Sequence, residues 1–294
     1  MPRLRVRCPR DYKVPFNIDV GQRNATFVKR PFLPLRRVWP PADAFVLVPE
    51  RDYDLVHTKN PVPLLTNRPY IVTFESYMPR VTGGKHARWL ESWLRGRLLG
   101  DQCVALVPQS RYALRQFASQ NLNHPGWPAL EAKTRVIYPA VTARADAPKK
   151  PSGRLRLLFV GKKFMRRGGP ALLRAHQRLR QQGLPVETTV VSALQWTPDD
   201  YVGPSSEDYV RSETERLAQE GVTHHARLPN EAVLRLMDEA DFFVLPTLHD
   251  TFGFVTIEAL AGGTPVIGTD TCALPEIVED KSCGYLLPLE NEPQ

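Results

Sequence analysis

The sequence lacks any apolar run near the roughly 20 residues that a membrane-spanning helix requires. Its opening stretch, "MPRLRVRCPR", has arginines where a secretory leader would have an apolar core, which speaks against a leader. Cysteine is scarce. Cys8, Cys103, Cys272 and Cys283 form no CxxC pair, so a disulfide framework or a structural zinc site is not expected, and reduced thiols in a cytoplasmic chain are. No GxGxxG and no GxxxxGK[ST] occurs, which removes the support for a dinucleotide fingerprint or a triphosphate cradle. No internal repeat or low-complexity tract appears. His224 and His225 are adjacent and would face opposite ways in a strand, so no metal site is expected of them.

What is present is a chain of 294 residues, 42% of them apolar, enough for two α/β domains or one large one. Its charge is unevenly divided. Residues 1–150 hold 25 Lys+Arg against 11 Asp+Glu, whereas residues 151–294 hold 14 against 20. A basic first half would attract phosphate or an anionic membrane face. Nucleic acid is not an expected partner, because no base-stacking module accompanies the charge.

A Pro-, Ala- and charge-rich stretch, "VTARADAPKKPSG" (141–153), reads as a linker. It sets a boundary between domains at 1–148 and 149–294. After it, strands are expected at 154–161, 185–192, 222–228, 241–247 and 265–269. Helices are expected at 168–183, 205–221, 230–240 and 254–263. Pro170 lies at the first turn of one helix and Gly183 past its end. A serine signal opens the next, and Asn230 is placed as a cap. Strict β–α alternation argues for an α/β fold with a parallel sheet covered on both faces. Ligands of such a sheet sit outside the carboxyl ends of its strands. The first half is less regular: 53–58, 69–74, 102–108 and 134–139 read as parallel strands, and 9–41 shows no clear period.

Two segments carry chemistry. "FVGKKFMRRGGP" (159–170) is a strand, a cationic glycine-bearing loop and a helix start, a combination suited to an anion. "LHDTFGFVTIEALAGGTPVIGTD" (248–270) places Asp250 and Glu258 seven intervening residues apart, with a glycine between them and a strand after. Glycine allows a ligand close to the backbone. A carboxylate among Val255, Ile257, Ala259 and Leu260 needs partners, which vicinal hydroxyls would supply.

Together with "LPNEAVLRLMDEADFFVLPT", these segments resemble the retaining, nucleotide-sugar-dependent glycosyltransferases of family 4 (glycosyl transferases group 1). Gly161, Lys162, Arg167 and Gly168 answer to that family's cationic loop, with Lys and Arg exchanged. Asp250 and Glu258 answer to its paired acids, the first one carbon shorter. "DYDLVHTKNP" and "RPYIVTFESYMPR" resemble the acceptor half, with Glu75 where many members have a histidine. The resemblance implies a GT-B fold, two Rossmann-like domains with parallel sheets facing a cleft, with the chain expected to be either a member abbreviated at both ends or a fragment of a longer one. The usual first strand with its glycine turn is not recognisable, and the C-terminal helix common in the family is missing.

As implied by the resemblance, a sugar moves with retention from a nucleotide-diphosphate sugar to a glycan, lipid-linked or small-molecule acceptor, without metal or cofactor. The cell envelope or an exopolysaccharide is the expected setting. Lys162 and Arg167 would neutralise the diphosphate. Asp250 would hold the donor sugar, Glu258 the ribose, and Gly253 and Phe254 would offer N–H groups. Arg227 and Leu228 would border the base, and Glu75 would either stand in the site as an acceptor of hydrogen bonds or leave the histidine's role unfilled. A partner-dependent subunit that binds nucleotide sugar without transferring it is the alternative. Two features stay open. His57 either lines the acceptor side or is a satisfied polar residue. "KHARWLESWLRGRLL" (85–99) either lies on an anionic membrane, placing the chain peripherally on its inner face, or is an ordinary core helix.

Overall fold

The computed structural model describes residues 3–9, 25–30, 39–49, 52–81, 87–144, 153–197, 206–279 and 281–289. It divides after Ala140 into two compact units. Residues 141–144, the first part of the expected linker, go with the second unit; 145–152 fall outside the described residues.

The first unit is built on a five-stranded parallel sheet. Its strands are β1 (Leu4–Pro9), β2 (Ala25–Arg30), β4 (Leu55–Lys59), β6 (Tyr70–Phe74) and β7 (Cys103–Pro108), in the order β2-β1-β4-β6-β7. A short parallel pair, β3 (Phe45–Leu47) with β5 (Val62–Leu64), stands beside it. β1 corrects the expectation that no first strand is recognisable: it lies inside the sheet, between β2 and β4. Its "LRVRCP" reads as a basic stretch, yet Val6 and Cys8 are buried and Arg7 is fully buried, its Nη1 donating to the Cys8 carbonyl at 2.5 Å. The expected strand at 134–139 is not regular. Its chain runs beside β7 through Arg135 N–H to Leu106 O (3.0 Å) and Ile137 N–H to Pro108 O (3.2 Å), but only the Leu106–Thr134 bridge forms. Pro108 and Pro139 offer no N–H to continue a ladder.

Helix α1 (Ala87–Leu99) resolves part of the open question. Leu90, Leu94 and Leu98, spaced i, i+4, i+8, are buried in the core with Val56, Val72, Phe74 and Phe117 of α2 (Arg111–Asn121). Trp89 and Trp93 are not on that stripe. They are 65% and 45% exposed and stack on each other at 6.3 Å. Arg95 belongs to the interior network, donating to Asn121 Oδ1 at 2.6 Å and pairing with Glu91. Lys133, just past α3 (Trp127–Ala132), caps α1 by donating to the carbonyls of Leu99 (2.9 Å) and Gly100 (2.8 Å). Among the described residues no helix is long and apolar enough to cross a membrane.

The second unit is a six-stranded parallel sheet in the order β10-β9-β8-β11-β12-β13. Its strands are β8 (Leu155–Val160), β9 (Val186–Val191), β10 (Val222–His225), β11 (Phe242–Leu245), β12 (Val266–Thr269) and β13 (Gly284–Leu287). Its helices are α4 (Gly169–Gln181), α5 (Glu207–Glu215), α6 (Asn230–Glu239), α7 (Phe254–Ala261) and the short α8 (Leu274–Ile277). The expected alternation is present, with local corrections. β10 stops at His225, before Arg227 and Leu228. α5 ends early and passes into a 3₁₀ turn at Arg216–Ala218, and Ser206 makes no side-chain cap bond. Asn230 is the first helical residue of α6, not its cap, which is Pro229. α8 and β13 were not expected as elements. The core is Leu158 and Phe159 of β8, Val190 of β9, and Phe243 and Leu245 of β11, against Leu173 and Met237 of the covering helices.

Candidate active site

The second sheet reverses its order at β8. From there β9 and β10 follow on one side and β11 to β13 on the other. Such a switch point leaves a crevice outside the carboxyl ends of the two central strands, where the following loops part in opposite directions. The loop after β8 is 161–168 and the loop after β11 is 246–253, so both segments singled out in the sequence arrive at this point.

Backbone bonds hold the first loop in shape. Arg167 N–H donates to Lys163 O, Gly168 N–H to Met165 O and Gly169 N–H to Phe164 O. Gly168 adopts φ +79, and a Cβ there would stand 1.8 Å from the Pro246 carbonyl oxygen, so the two loops touch through a position that only glycine fits. Leu248 N–H donates back to Arg166 O at 3.0 Å, a second tie between the loops. Gly161 faces Arg167, whose Cγ would be 3.3 Å from a Cβ on it.

Across this junction the Arg167 guanidinium is ion-paired with the Asp250 carboxylate. Asp250 is buried, and Arg167 is partly exposed. Lys162 opens the same loop. Its carbonyl accepts from Gln195 N–H at 2.9 Å, and its side chain points to solvent.

Gly253, at φ +80, is the N-cap of α7, and the first turn of that helix begins at Phe254. The Phe252 and Phe254 rings pack 4.7 Å apart. Inside this first turn sits Thr256, fully buried, with its hydroxyl unpartnered among the described residues. Sequence reasoning passed over Thr256 because it is embedded in an apolar run. Glu258 lies further along α7 and is half-buried. Burial pushes its carboxyl above the ordinary range, and the Arg144 charge opposes that shift. Glu258 does not join the Arg167–Asp250 pair. Arg227 is exposed and Leu228 half-buried, both beyond the end of β10.

A further pair was also missed. Cys272, in the loop after β12, has φ +53, uncommon for a residue with a Cβ. Burial opposes ionisation of its thiol. Hydrogen bonds from His249 and Thr271, the His249 charge and the Asp250 amide outweigh burial and hold it below its ordinary value. No composition or spacing signal announces this contact.

In the first unit, Glu75 follows β6 and is ion-paired with Lys59 at 2.5 Å. His57 lies within β4, not at its end. Its Nε2 is 2.7 Å from Thr73 Oγ1, and burial lowers its pKa to about 4, which leaves it neutral. The satisfied-polar reading of His57 thus has a partner in the structure. Among the described residues no group of three or more His, Cys, Asp or Glu side chains is arranged to hold a metal.

Residues 154–294 match the family described as glycosyl transferases group 1. The match covers nearly all of the second unit. The chain is 28% identical over 221 residues to a D-inositol 3-phosphate glycosyltransferase of Jonesia denitrificans, covering 68% of this chain and 50% of that one. It is 28% identical over 153 residues to a putative colanic acid biosynthesis glycosyltransferase, WcaL, of Salmonella typhimurium, covering 50% and 35%. The chain thus spans about half the length, or less, of these relatives. Among solved structures, Anabaena HepE in complex with UDP-glucose superposes with a TM-score of 0.59 at 14% identity, covering 98% of this chain and 86% of HepE. The fold is GT-B, with two Rossmann-like units.

Proposed function

We propose that this chain is a retaining, metal-independent glycosyltransferase that moves a sugar from a nucleotide-diphosphate donor to a glycan, lipid-linked or small-molecule acceptor. The observation that carries the reading is the meeting of Arg167 and Asp250 at the switch point of a sheet that matches group 1 glycosyltransferases. A guanidinium has five N–H donors. One edge engages Asp250, and the others suit the oxygens of a diphosphate. Lys162, exposed on the same loop, adds a second positive charge. As the glycosyl bond breaks, negative charge grows on the leaving diphosphate. Cations already in place stabilise it, and removing one such donor typically costs about 10²–10³ in rate. Gly161 and Gly168 let the donor lie close to the loop backbone. The Gly253 and Phe254 N–H groups, at the positive end of α7, serve the same anion. Asp250 receives hydroxyls of the donor sugar and Glu258 those of the ribose. Arg227 and Leu228 border the base. Glu75, which is ion-paired with Lys59, serves in the site as an acceptor of hydrogen bonds, whereas His57, bonded to Thr73, is a satisfied polar residue of the first unit.

The donor phosphate takes the acceptor proton on the face from which the diphosphate departs, so no protein nucleophile is used. The WcaL likeness favours an envelope or exopolysaccharide acceptor. The basic first half and the exposed Trp89–Trp93 pair favour work at an anionic membrane surface. The partner-dependent reading draws on no observation beyond Glu75.

The test is calorimetric titration of the chain with UDP-, GDP- and ADP-sugars, repeated with Lys162→Ala and Glu258→Ala. One nucleotide series should bind, and each variant should bind it at least about tenfold more weakly. No binding by the unmodified chain, or equal binding by both variants, overturns the reading.

A further inference from the structure

Helix α7 begins without a side-chain cap. Its N-cap is Gly253, whereas α2 begins on Ser110, whose hydroxyl accepts from Ala113 N–H at 2.9 Å. Thr256 stands in the first turn of α7. Its N–H donates to Gly253 O at 2.9 Å, but its hydroxyl is fully buried and has no partner among the described residues. The side chain turns back along the helix: a Cβ built on Gly253 would lie 3.2 Å from Thr256 Oγ1 and 3.8 Å from Thr256 Cβ. The hydroxyl is thus the part of Thr256 aimed at the uncapped end. Every other buried threonine among the described residues has a hydrogen-bond partner. Thr269, for example, donates to Thr247 O at 2.6 Å, and Thr188 Oγ1 is 2.8 Å from His176 Nδ1. A buried hydroxyl without a partner is costly, and valine would fill the same space without that cost.

We infer that the Thr256 hydroxyl is a binding residue for the diphosphate, donating to an oxygen of the anion at the start of α7. That the anion is a donor diphosphate rests on the proposed function. An anion is the ligand that fits, because the start of a helix carries its positive end and the loop with Lys162 and Arg167 arrives at the same strand ends. Toward an anion a hydroxyl uses its one O–H. The neighbouring groups are committed elsewhere: Asp250 to Arg167, Thr269 to Thr247 O, and Leu274, whose Cδ2 is 2.8 Å from the same built Cβ, is apolar. The contribution of Thr256 is directional. A neutral donor out of water bonds a phosphate oxygen strongly only at the right depth and angle, whereas an exposed lysine follows the charge wherever it sits.

The experiment uses the full chain, with thermal melting alone and calorimetric titration with two probes, inorganic pyrophosphate and UDP. Thr256→Val keeps the shape of the side chain and removes the hydroxyl. It should melt at the temperature of the unmodified chain or above it, yet bind both probes at least about tenfold more weakly. Thr256→Ser, which keeps the hydroxyl, should bind both within about threefold of the unmodified chain. Thr264→Val supplies the contrast. Thr264 donates to the Met237 carbonyl, so this variant should melt lower by about 2 °C or more. A lower melting temperature for Thr256→Val would mean that the hydroxyl has a structural partner. Equal binding by Thr256→Val would mean that it does not reach the anion, and weakening confined to UDP would place its contact away from the diphosphate. Each of these overturns the inference and leaves the proposed function standing. If the unmodified chain binds neither pyrophosphate nor UDP, both fall.

Discussion

The Arg167 guanidinium meets the Asp250 carboxylate although the two lie 83 positions apart in the sequence. Neither residue explains its partner alone. Asp250 is buried and would be costly as an unpaired anion. Arg167 is held over it by a loop whose shape depends on Gly168.

Removing one member should therefore be worse than removing both. Arg167→Ala leaves a buried carboxylate and should destabilise by about 2–3 kcal/mol, allowing for the partial exposure of the arginine. The double substitution with Asp250→Ala should recover part of that loss. Urea unfolding of the two single variants and the double variant would measure the coupling, and simple additivity would contradict the pairing.

Gly168→Ala should be more damaging than a typical surface change. The added methyl meets a backbone carbonyl and the residue must hold a left-handed conformation, together about 3 kcal/mol or more. Gly183→Ala provides the comparison. It has φ +81 but open space around it, so it should cost only the conformational part, about 1 kcal/mol. Equal melting temperatures for the two variants would refute the contact between the loops.

His57 predicts a pH signature in the first unit. Its folded pKa, about 4, lies below the ordinary value, so the unfolded chain takes up this proton first as pH falls. The group's contribution is full above about pH 6.5 and is lost between there and about pH 4, a slope of stability that rises with pH. His57→Gln should flatten the profile in that window. An unchanged slope would mean that His57 is solvated.

Cysteine labelling offers a probe of the second unit. Iodoacetamide at neutral pH should modify Cys272 ahead of Cys8 and Cys103. Both of these are fully buried, and burial pushes the Cys103 thiol up to about 12. His249→Ala should slow the Cys272 reaction several-fold. Peptide mapping would read it, and preferential labelling of Cys103 would contradict the burial pattern.

The second sheet was legible because its strands obey simple rules: "RLRLLFVG" and "DFFVLPT" are short apolar runs set between amphipathic helices. β1 escaped notice because burying Arg7 inverts the usual meaning of an arginine. The ragged 134–139 segment looked like a strand because side-chain pattern does not report where prolines break a ladder. The two candidate loops were singled out by their residue types, but their pairing was not. Arg167 with Asp250 and Cys272 with His249 arise only when distant strand ends are brought together. Arg144 was hidden more thoroughly, since a Pro-, Ala- and charge-rich stretch reads as a spacer, whereas its N–H donates to Ala261 O (2.6 Å) and its Nη2 to Glu258 O (2.8 Å) at the end of α7.

At the opposite end of the second sheet, Arg156 grips Asp241 through its backbone N–H (2.7 Å) and its guanidinium (2.8 Å), while Asp241 N–H returns to Arg156 O (2.9 Å). This clasp sits where β8 and β11 begin, away from the loops at 161–168 and 246–253. The central strands are consequently registered from below, and insertions or exchanges in the upper loops need not disturb their alignment. A scaffold pinned in that way can change the make-up of its upper loops while its foundation stays put.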